Sequence, residues 1–324
     1  MGKKRALITG GAGFLGTRLA LTLRSIYDVF LAGRNEEQNR VAEAITGCPT
    51  LPMELTDLGS VRQVFFAARP DLIIHAAAAK FVDRAEKNPL ECVDVNVLGS
   101  QNVARAAMER DSDLVVGVSS NRAAPPTVDT YALTKAIMER LFCSLNGKTQ
   151  TRFVGVRLGN IAWSTGSVLP AWQRMLDTST VIELTGPNSR RFFCGVDDAV
   201  KLVMTCIDHA EEFQGKVLAR RLKQARVKDI MAKFIELKGG SWKQIEPRAG
   251  EKLEETLIGE LELPYCEVVP LEGVTHYSLC FNDKAERPLA EMVSTANVEA
   301  LSSEEIARLI LQQPELPATE EQTI

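Results

Sequence analysis

The sequence predicts an α/β protein with a Rossmann-like, doubly wound parallel sheet and a smaller carboxyl-terminal substrate lobe. Two observations predict this class: short apolar runs alternate with segments of 3.6-residue periodicity, and a glycine-rich turn follows the first apolar run. Near-continuous hydrophobicity in short strands is typical of a parallel sheet covered on both faces by helices. In such folds the ligand crevice lies beyond the carboxyl ends of the strands.

The apolar runs and the periodic segments give the expected elements in chain order. Strands are predicted at 6–9, 29–32, 50–54, 72–75, 114–119 and 153–157, and helices at 18–25, 58–68, 96–109 and 134–145. The pattern of 253–269 predicts a helix followed by a short strand, and a Ser302-x-x-Glu305 capping box predicts a last helix.

The regularity weakens after Asn160, which suggests a change of domain. We expect a dinucleotide-binding domain at 1–160 plus 196–221, with the substrate lobe formed by 161–195 and 222–290. Residues 291–316 are predicted to form a terminal strand and helix. Residues 317–324 are polar and acidic, which favours a disordered tail.

The composition excludes several classes of protein. The 324 residues are 45% hydrophobic and 25% charged, as in ordinary globular proteins, and the net charge of -4 gives no global positive field for nucleic acid or an anionic membrane. The chain has neither a signal-peptide pattern nor an apolar run of about 18 to 20 residues, so a cytoplasmic location is expected. Seven scattered cysteines and three dispersed histidines lack metal-ligand spacing, and we predict no metal.

A phosphate-binding turn is predicted directly after the first strand. Gly10, Gly13 and Gly16 are spaced three apart, with Phe14 and Leu15 opening the following helix. Residues without side chains let the backbone approach a pyrophosphate, and a helix N-terminus supplies free N–H donors. An ordinary strand–helix turn is the alternative, but the position at a first strand–helix junction favours a dinucleotide site.

Arg34 follows the second strand, where a carboxylate normally accepts the ribose hydroxyls of NAD. A guanidinium can instead pair with the 2'-phosphate of NADP. We therefore predict NADP, with NAD as the other nicotinamide cofactor to consider. The alternative role of Arg34 is a solvated turn residue.

Tyr131 and Lys135 form a Y-x-x-x-K pattern, which places both side chains on one helix face one turn apart. A lysine ammonium lowers a tyrosine pKa, so a phenolate can take a hydroxyl proton as hydride leaves for a nicotinamide. Ser119 and Ser120 end the fifth predicted strand and are candidate hydroxyl donors. An exposed tyrosine and lysine on an amphipathic helix would leave the glycine turn and the serines unexplained.

These features resemble the extended short-chain dehydrogenase/reductase superfamily over residues 5–290. Within it, several segments in order resemble the C5-inverting UDP-N-acetylglucosamine 4,6-dehydratases, a branch of the polysaccharide-biosynthesis dehydratases and epimerases. The segments are 80–89, 96–99, 157–160, 166–170 and 248–253.

The resemblance implies further ligand contacts. Asp57 and Leu58 would lie at the adenine, Ala76, Ala77 and Ala78 at the cofactor ribose, and Asn96 beside the cofactor, although strand-end structure explains the first two groups equally well. Polar groups for a nucleotide sugar are expected from Asn160, from Ser167 and Val168, and from Arg191 and Arg248, which offer charge-assisted bonds to phosphate. Solvated or ion-paired arginines are the alternative. Lys80 contacts a ligand or lies at the surface, and Glu251 either contacts a ligand or fixes its loop.

Two positions depart from the dehydratase family. The resemblance implies an Asp and a Lys after the strand-ending serine pair, as the acid and base that remove water, whereas this chain has Asn121 and Arg122. An amide is no carboxylic acid, and arginine holds its proton too tightly to be an ordinary base. Asn121 and Arg122 are kept as catalytic candidates, with loop stabilisation as the alternative.

The expected enzyme therefore oxidises C4 of a nucleotide sugar, in the first instance a UDP-N-acetylhexosamine. Three outcomes follow from the 4-keto intermediate: dehydration with Asp129 or the substrate replacing the missing acid, C4 epimerisation, or NADPH-dependent reduction of a ketosugar. A cofactor-sensing regulator is the non-enzyme alternative, but such sensors commonly lack the tyrosine or lysine. The resemblance also suggests a homo-oligomer.

Overall fold

The fold was derived from a computed structural model, which describes residues 2–246 and 252–313. Helices are α1 Phe14–Leu23, α2 Glu36–Thr46, α3 Leu58–Ala68, α4 Val82–Lys87, α5 Pro89–Val93, α6 Gly99–Glu109, α7 Thr130–Leu145, α8 Val168–Thr178, α9 Val196–Asp208, α10 Ala210–Phe213, α11 Val227–Lys238 and α12 Ser303–Leu311. Strands are β1 Arg5–Thr9, β2 Asp28–Gly33, β3 Thr50–Pro52, β4 Leu72–His75, β5 Leu114–Ser120, β6 Arg152–Leu158, β7 Asn160–Ile161, β8 Val181–Leu184, β9 Arg190–Cys194, β10 Val217–Arg220, β11 Lys223–Arg226, β12 Ser241–Gln244, β13 Thr256–Ile258, β14 Cys266–Leu271, β15 Val274–Leu279 and β16 Val293–Ser294.

The main sheet has nine strands in the order β14-β15-β10-β6-β5-β4-β1-β2-β3. The seven strands from β10 to β3 are parallel, while β15 and β14 extend the sheet in antiparallel fashion. This arrangement confirms the predicted Rossmann-like α/β class. Because the parallel strands share one direction, β1, β2, β4, β5 and β6 all end at the same edge.

The two faces of the sheet carry separate cores, as alternating residues of a strand must. In β4 and β5, Ile74 and Val116 pack with α1 and α9 residues, whereas Ile73 and Val115 pack on the opposite face. That second face includes Phe142 of α7. The helix that carries the tyrosine and lysine is thus fixed to the sheet by its apolar side.

A third apolar cluster lies outside the main sheet. Trp172 of α8, Phe193 of β9 and Phe234 of α11 pack together in it, and Ile306 of α12 closes it. Short sheets β11-β9-β7 and β12-β8 accompany this cluster. The capping box at Ser302 is present as predicted, with its Oγ accepting from the Glu305 N–H.

The strand and helix predictions are confirmed with small shifts of boundary. Helices α1 and α7 begin four residues earlier than expected, and a π-helical turn, Asp94–Leu98, precedes α6. The helix predicted within 253–269 is wrong. That segment forms β13, a 3-10 turn Glu260–Tyr265 that contains Pro264, and β14, because pairing with β16 and β15 determines its structure.

Residues 266–279, which were predicted to belong to the small lobe, extend the main sheet as β14 and β15. The predicted tail at 317–324 lies outside the described residues. Within residues 2–246 and 252–313, every helix is too short or too polar to cross a lipid bilayer.

Candidate active site

A cleft of about 640 Å³ lies along the carboxyl edge of the parallel strands. Its walls come from the turns after β1, β2, β4 and β5, from the start of α7, and from the segment after β6. The cleft therefore occupies the crevice where doubly wound sheets bind their ligands.

The glycine turn forms one end of the cleft and packs closely against the backbone of the loop after β4. Gly10 has a φ of +66°, and a Cβ atom there would lie 2.7 Å from the Ala77 Cα atom. Gly13 is the N-cap of α1 and offers no side chain to cap that helix. The first turn of α1 thus presents backbone N–H groups toward the cleft, as a diphosphate requires.

The end of β2 forms the neighbouring wall. The Arg34 side chain is 68% exposed, with its Nη2 atom 3.9 Å from the Glu91 Oε1 atom. Asn39 donates from Nδ2 to the Gly33 carbonyl at 2.8 Å. Gln38 and Asn39 of α2 both line the cleft. Neither was predicted, because helix α2 itself was not among the predicted elements.

Asp57 and Leu58 do not line the cleft in the part of the chain that the structure describes. The Asp57 carboxylate caps α3 by accepting from the Gly59 N–H at 2.8 Å. Met53, Glu54 and Leu55 line the cleft instead. Strand β3 ends at Pro52, two residues earlier than predicted, so the residues at the strand end lie earlier in the chain.

Ala76, Ala77 and Ala78 line the cleft after β4. Asn96 is buried behind them rather than in the lining. Its Oδ1 atom accepts from the Ala79 N–H at 2.8 Å, and its Nδ2 atom donates to the Ala79 carbonyl at 3.1 Å and to Thr134 Oγ1 at 3.0 Å. Asn96 therefore ties the alanine loop to α7 and shapes the cleft indirectly.

Ser119, Ser120, Tyr131 and Lys135 all line one stretch of the cleft. Strand β5 delivers the serines, and α7 delivers the tyrosine and lysine. Lys135 is buried and donates from Nζ to the Val118 carbonyl at 2.8 Å. The predicted hydride-transfer residues therefore come together at the carboxyl edge of the sheet.

Burial changes the protonation chemistry of both α7 residues. Burial raises the pKa of Tyr131 to about 12, against the positive charge of Arg122 and a hydrogen bond with Ser120, which lower it. Burial lowers the pKa of Lys135 to about 8, opposed by the negative charge of Glu139. Proton transfer at neutral pH therefore needs further stabilisation of the Tyr131 phenolate.

Asn121 and Arg122 occupy different environments. Asn121 is buried at the start of a 3-10 turn, Asn121–Ala123, and does not line the cleft, whereas Arg122 does. The Arg122 Nη1 atom donates to Asp129 Oδ2 at 3.0 Å, and Asp129 Oδ1 accepts from the Ala132 N–H at 2.8 Å. Both oxygens of Asp129 are thus engaged by donors.

The other wall contains part of the predicted sugar site. Lys80 donates from Nζ to the Thr165 carbonyl, which connects the loop after β4 to the loop before α8. Asn160 donates to the carboxylate of Glu255 at 2.9 Å, and Arg191 Nε lies 3.7 Å from the same carboxylate. Glu255 was not predicted, since only the folded chain brings it next to β9.

Most predicted site residues with a described structure line this cleft. They are Gly10, Gly13, Phe14, Leu15, Gly16, Arg34, Ala76, Ala77, Ala78, Lys80, Ser119, Ser120, Arg122, Tyr131, Lys135, Asn160 and Ser167. Those outside the lining are Asp57, Leu58, Asn96, Asn121, Val168 and Arg191. Arg248 and Glu251 lie outside the described residues.

Three buried polar atoms mark places for a ligand. Among the described residues, Asn39 Oδ1, Ser119 Oγ and Ser167 Oγ have no hydrogen-bond partner, and all three residues line the cleft. Ser167 is also the N-cap of α8 without capping it. A buried polar atom without a partner is costly, so these atoms suit a ligand with complementary groups. The glycine turn and the Ser119 region together fit a nicotinamide dinucleotide.

The sheet order and this cleft define an extended short-chain dehydrogenase/reductase, a class that builds its nicotinamide cofactor site at this edge of the sheet. Within that class the chain belongs to the family described as polysaccharide biosynthesis protein, whose model matches residues 6–270. Sugar-nucleotide dehydratases and epimerases are among its relatives.

Two curated relatives and one solved structure illustrate the similarity. The inverting UDP-N-acetylglucosamine 4,6-dehydratase of Campylobacter jejuni serotype O:2 is 31% identical over 264 residues, which cover 79% of this chain and 78% of the relative. The UDP-glucose 4-epimerase of Rickettsia akari is 27% identical over 95% of each chain. The X-ray structure of Pen from Bacillus thuringiensis has a TM-score of 0.87 and 27% identity, covering 96% of this chain and 98% of that one.

Proposed function

We propose that the protein oxidises C4 of a nucleotide sugar, in the first instance a UDP-N-acetylhexosamine, with NADP as cofactor, and that it acts as a 4,6-dehydratase. The observation that carries this proposal is the shared cleft of Ser119, Tyr131 and Lys135 with the glycine turn. The similarity to an inverting UDP-N-acetylglucosamine 4,6-dehydratase supports the substrate class.

Each residue has a distinct role in the proposed oxidation. A bound nicotinamide supplies the hydride acceptor. Tyr131 takes the proton of the C4 hydroxyl, and the partner-free Oγ of Ser119 holds the C4 oxygen in place. The buried ammonium of Lys135 suits the hydroxyls of the nicotinamide ribose. Ser167 and the start of α8 suit the diphosphate of the sugar nucleotide.

NADP is the proposed cofactor because of Arg34. Its exposed guanidinium stands at the rim of the cleft after β2, where a 2'-phosphate would form charge-assisted bonds. Glu91 also lines this part of the cleft, so Arg34 must turn from that carboxylate to the phosphate.

A C4 epimerase is the second candidate, and the Arg122–Asp129 pair favours it. Dehydration needs an acid and a base at C5 and C6, but Asp129 has both oxygens engaged and Arg122 keeps its proton. Epimerisation needs neither group, because hydride returns to the opposite face of C4. The similarity to a UDP-glucose 4-epimerase over 95% of the chain agrees with this alternative.

A homo-oligomer is also proposed, since apolar side chains are exposed on neighbouring helices. Leu133 and Ile137 of α7 are 49% and 48% exposed, and Leu90 of α5 is 71% exposed. Helices α5 and α7 pack against each other, which supports a partner surface that spans both helices.

The function is tested by mass spectrometry of UDP-N-acetylglucosamine incubated with the protein in deuterated water without added reductant. Loss of one water, with solvent deuterium in the product, supports the dehydratase. Unchanged mass with a new C4 epimer supports the epimerase. Conversion of a ketosugar only when NADPH is supplied would identify a reductase, and no conversion under any of these conditions would contradict the nucleotide-sugar proposal.

Tyr131→Phe provides the matched test of the mechanism. We expect turnover to fall about 100- to 10,000-fold, because phenylalanine cannot transfer a proton. Tyr27→Phe is the control, since Tyr27 precedes β2 at the opposite edge of the sheet and does not line the cleft. Near-normal turnover of Tyr131→Phe would contradict the assignment.

A further inference from the structure

The loop between β5 and α7 folds back so that a charged pair lies at the start of α7, and Arg122 of this pair lines the same cleft as Tyr131. Arg122 in the 3-10 turn donates to Asp129, and Asp129 caps the helix whose first turn carries Tyr131. The Asp129 side chain is 11% exposed, whereas that of Arg122 is 32% exposed and lines the cleft. The helix cap therefore holds Asp129 in place, and its partner Arg122 lies in the lining of the cleft.

The position of Lys135 leaves room for Arg122 to stabilise the phenolate form of Tyr131. The Lys135 Nζ atom donates to the Val118 carbonyl of β5, which holds the ammonium against the strand. Of the charges around Tyr131, that of Arg122 gives the largest lowering of the tyrosine pKa, while Asp129 and Cys92 raise it. Lys252 adds a further cation near Arg122 and Asp129.

We propose that Arg122 is a positioning residue that stabilises the phenolate form of Tyr131, and that Asp129 holds its guanidinium in place. This inference builds on the proposed oxidation at C4. The resemblance implies a proton-transferring lysine at position 122, but a guanidinium keeps its charge throughout the accessible pH range. The substitution thus exchanges a proton carrier for a permanent positive charge beside the tyrosine that carries the proton.

The test is a pH titration of Tyr131 by 19F NMR in protein labelled with fluorotyrosine. The chain has four tyrosines, and Tyr131→Phe identifies the Tyr131 resonance. Fluorination brings the titration into an accessible pH range. We expect Arg122→Gln to raise the Tyr131 pKa by about one unit, because an adjacent opposite charge shifts a pKa by roughly one to three units. Arg122→Lys should restore most of the parent value.

Two internal comparisons make the titration specific. The Tyr27 resonance should not move in any Arg122 variant, because Tyr27 lies outside the cleft. In the parent protein, added salt should raise the Tyr131 pKa, since the partly exposed Arg122 charge is screened. The salt titration uses only the parent protein, so it tests the proposal even if Arg122→Gln does not fold. A Tyr131 pKa that is unchanged by Arg122→Gln, or by salt, would overturn the proposal.

The titration uses no substrate, so it separates this inference from the proposed function. A shifted Tyr131 pKa without sugar turnover would contradict the nucleotide-sugar proposal alone. If turnover is found, the acid limb of the kcat/KM profile should move to higher pH in Arg122→Gln and return in Arg122→Lys. An acid limb that stays in place in Arg122→Gln would overturn the role of Arg122 while leaving the reaction intact.

Discussion

Helix α7 carries arginine–carboxylate contacts in two regions, and they differ in burial. At its start, the Arg122 guanidinium makes one hydrogen bond, to Asp129, among the described residues. In its middle, Glu139 meets Arg157 of β6, and Glu262 of the 3-10 turn joins them, with all three side chains no more than 4% exposed. A buried charge whose hydrogen bonds are all made contributes to the stability of the fold. A charge with only one such bond can also act on a neighbouring group in the site.

Arg157 shows what complete pairing means. Its five N–H donors are all used: two go to Glu139, two to Glu262 and one to the Leu257 carbonyl. Lys135, one turn before Glu139, adds a second buried cation. The two cations thus balance two buried carboxylates, and this balance offsets part of the cost of burying Lys135.

The largest predicted effect is on the buried cluster. Arg157→Met should lower the free energy of unfolding by about 3 to 5 kcal/mol, because it leaves two buried carboxylates without their partner. Denaturant unfolding at neutral pH measures this loss. Arg62→Met is the matched control, since the Arg62–Glu109 pair is exposed and screened by solvent and should contribute far less to the free energy of unfolding. Equal losses in the two variants would contradict the comparison.

His75 sharpens the comparison, because it is buried with neutral partners only. Its Nδ1 and Nε2 atoms lie 2.8 Å from Thr9 Oγ1 and 3.0 Å from Ser100 Oγ. Burial, with a smaller contribution from the charge of Lys135, lowers the His75 pKa from 6.5 to about 3. Unlike Arg157, His75 therefore remains uncharged in the folded protein at moderately acidic pH.

This pKa difference predicts how stability depends on pH. As pH falls below 6.5 the unfolded chain binds a proton at His75 that the folded chain does not, so stability declines toward pH 3. The His75 contribution lost at pH 5 should be about 2 kcal/mol. His75→Gln should reduce the loss of stability between pH 7 and pH 5, because glutamine has no group that titrates in this range. An unchanged pH dependence in His75→Gln would show that another group is responsible.

The sequence predicted the elements whose patterns are local. Helix 58–68 and strand 72–75 have the predicted boundaries, since the Asp57 cap directly precedes the helix and the apolar runs lie within the segments themselves. Within 253–269 the predicted short strand is present as β14, but the predicted helix is wrong, because residues 256–258 pair instead with β16, which is distant in the chain.

The site divides in the same way. The glycine turn and the Tyr131–Lys135 pair are local spacings and could be recognised. The contact between Arg157 and Glu262 joins residues 105 positions apart, and the role of Glu255 depends on β9. No local pattern reveals such contacts.

Arg34 is the most exposed of the arginines compared, and its replacement is predicted to have the smallest effect of the substitutions considered. It contributes little to folding, since its one described carboxylate contact is 3.9 Å long and solvated. Arg34→Ala should therefore leave the free energy of unfolding nearly unchanged but weaken NADP+ binding about tenfold, the loss of a charge-assisted bond to phosphate. Binding of NAD+, which lacks that phosphate, should change little.

The measurement is a pair of cofactor titrations by calorimetry for each variant. Arg40→Ala is the matched control, because Arg40 is exposed on α2 but does not line the cleft. If Arg34→Ala weakens NADP+ and NAD+ equally, Arg34 acts on the shared part of the dinucleotide and the preference for NADP fails. If only NADP+ binding weakens, the exposed arginine acts through ligand recognition alone, as the buried Arg157 is predicted to act through stability.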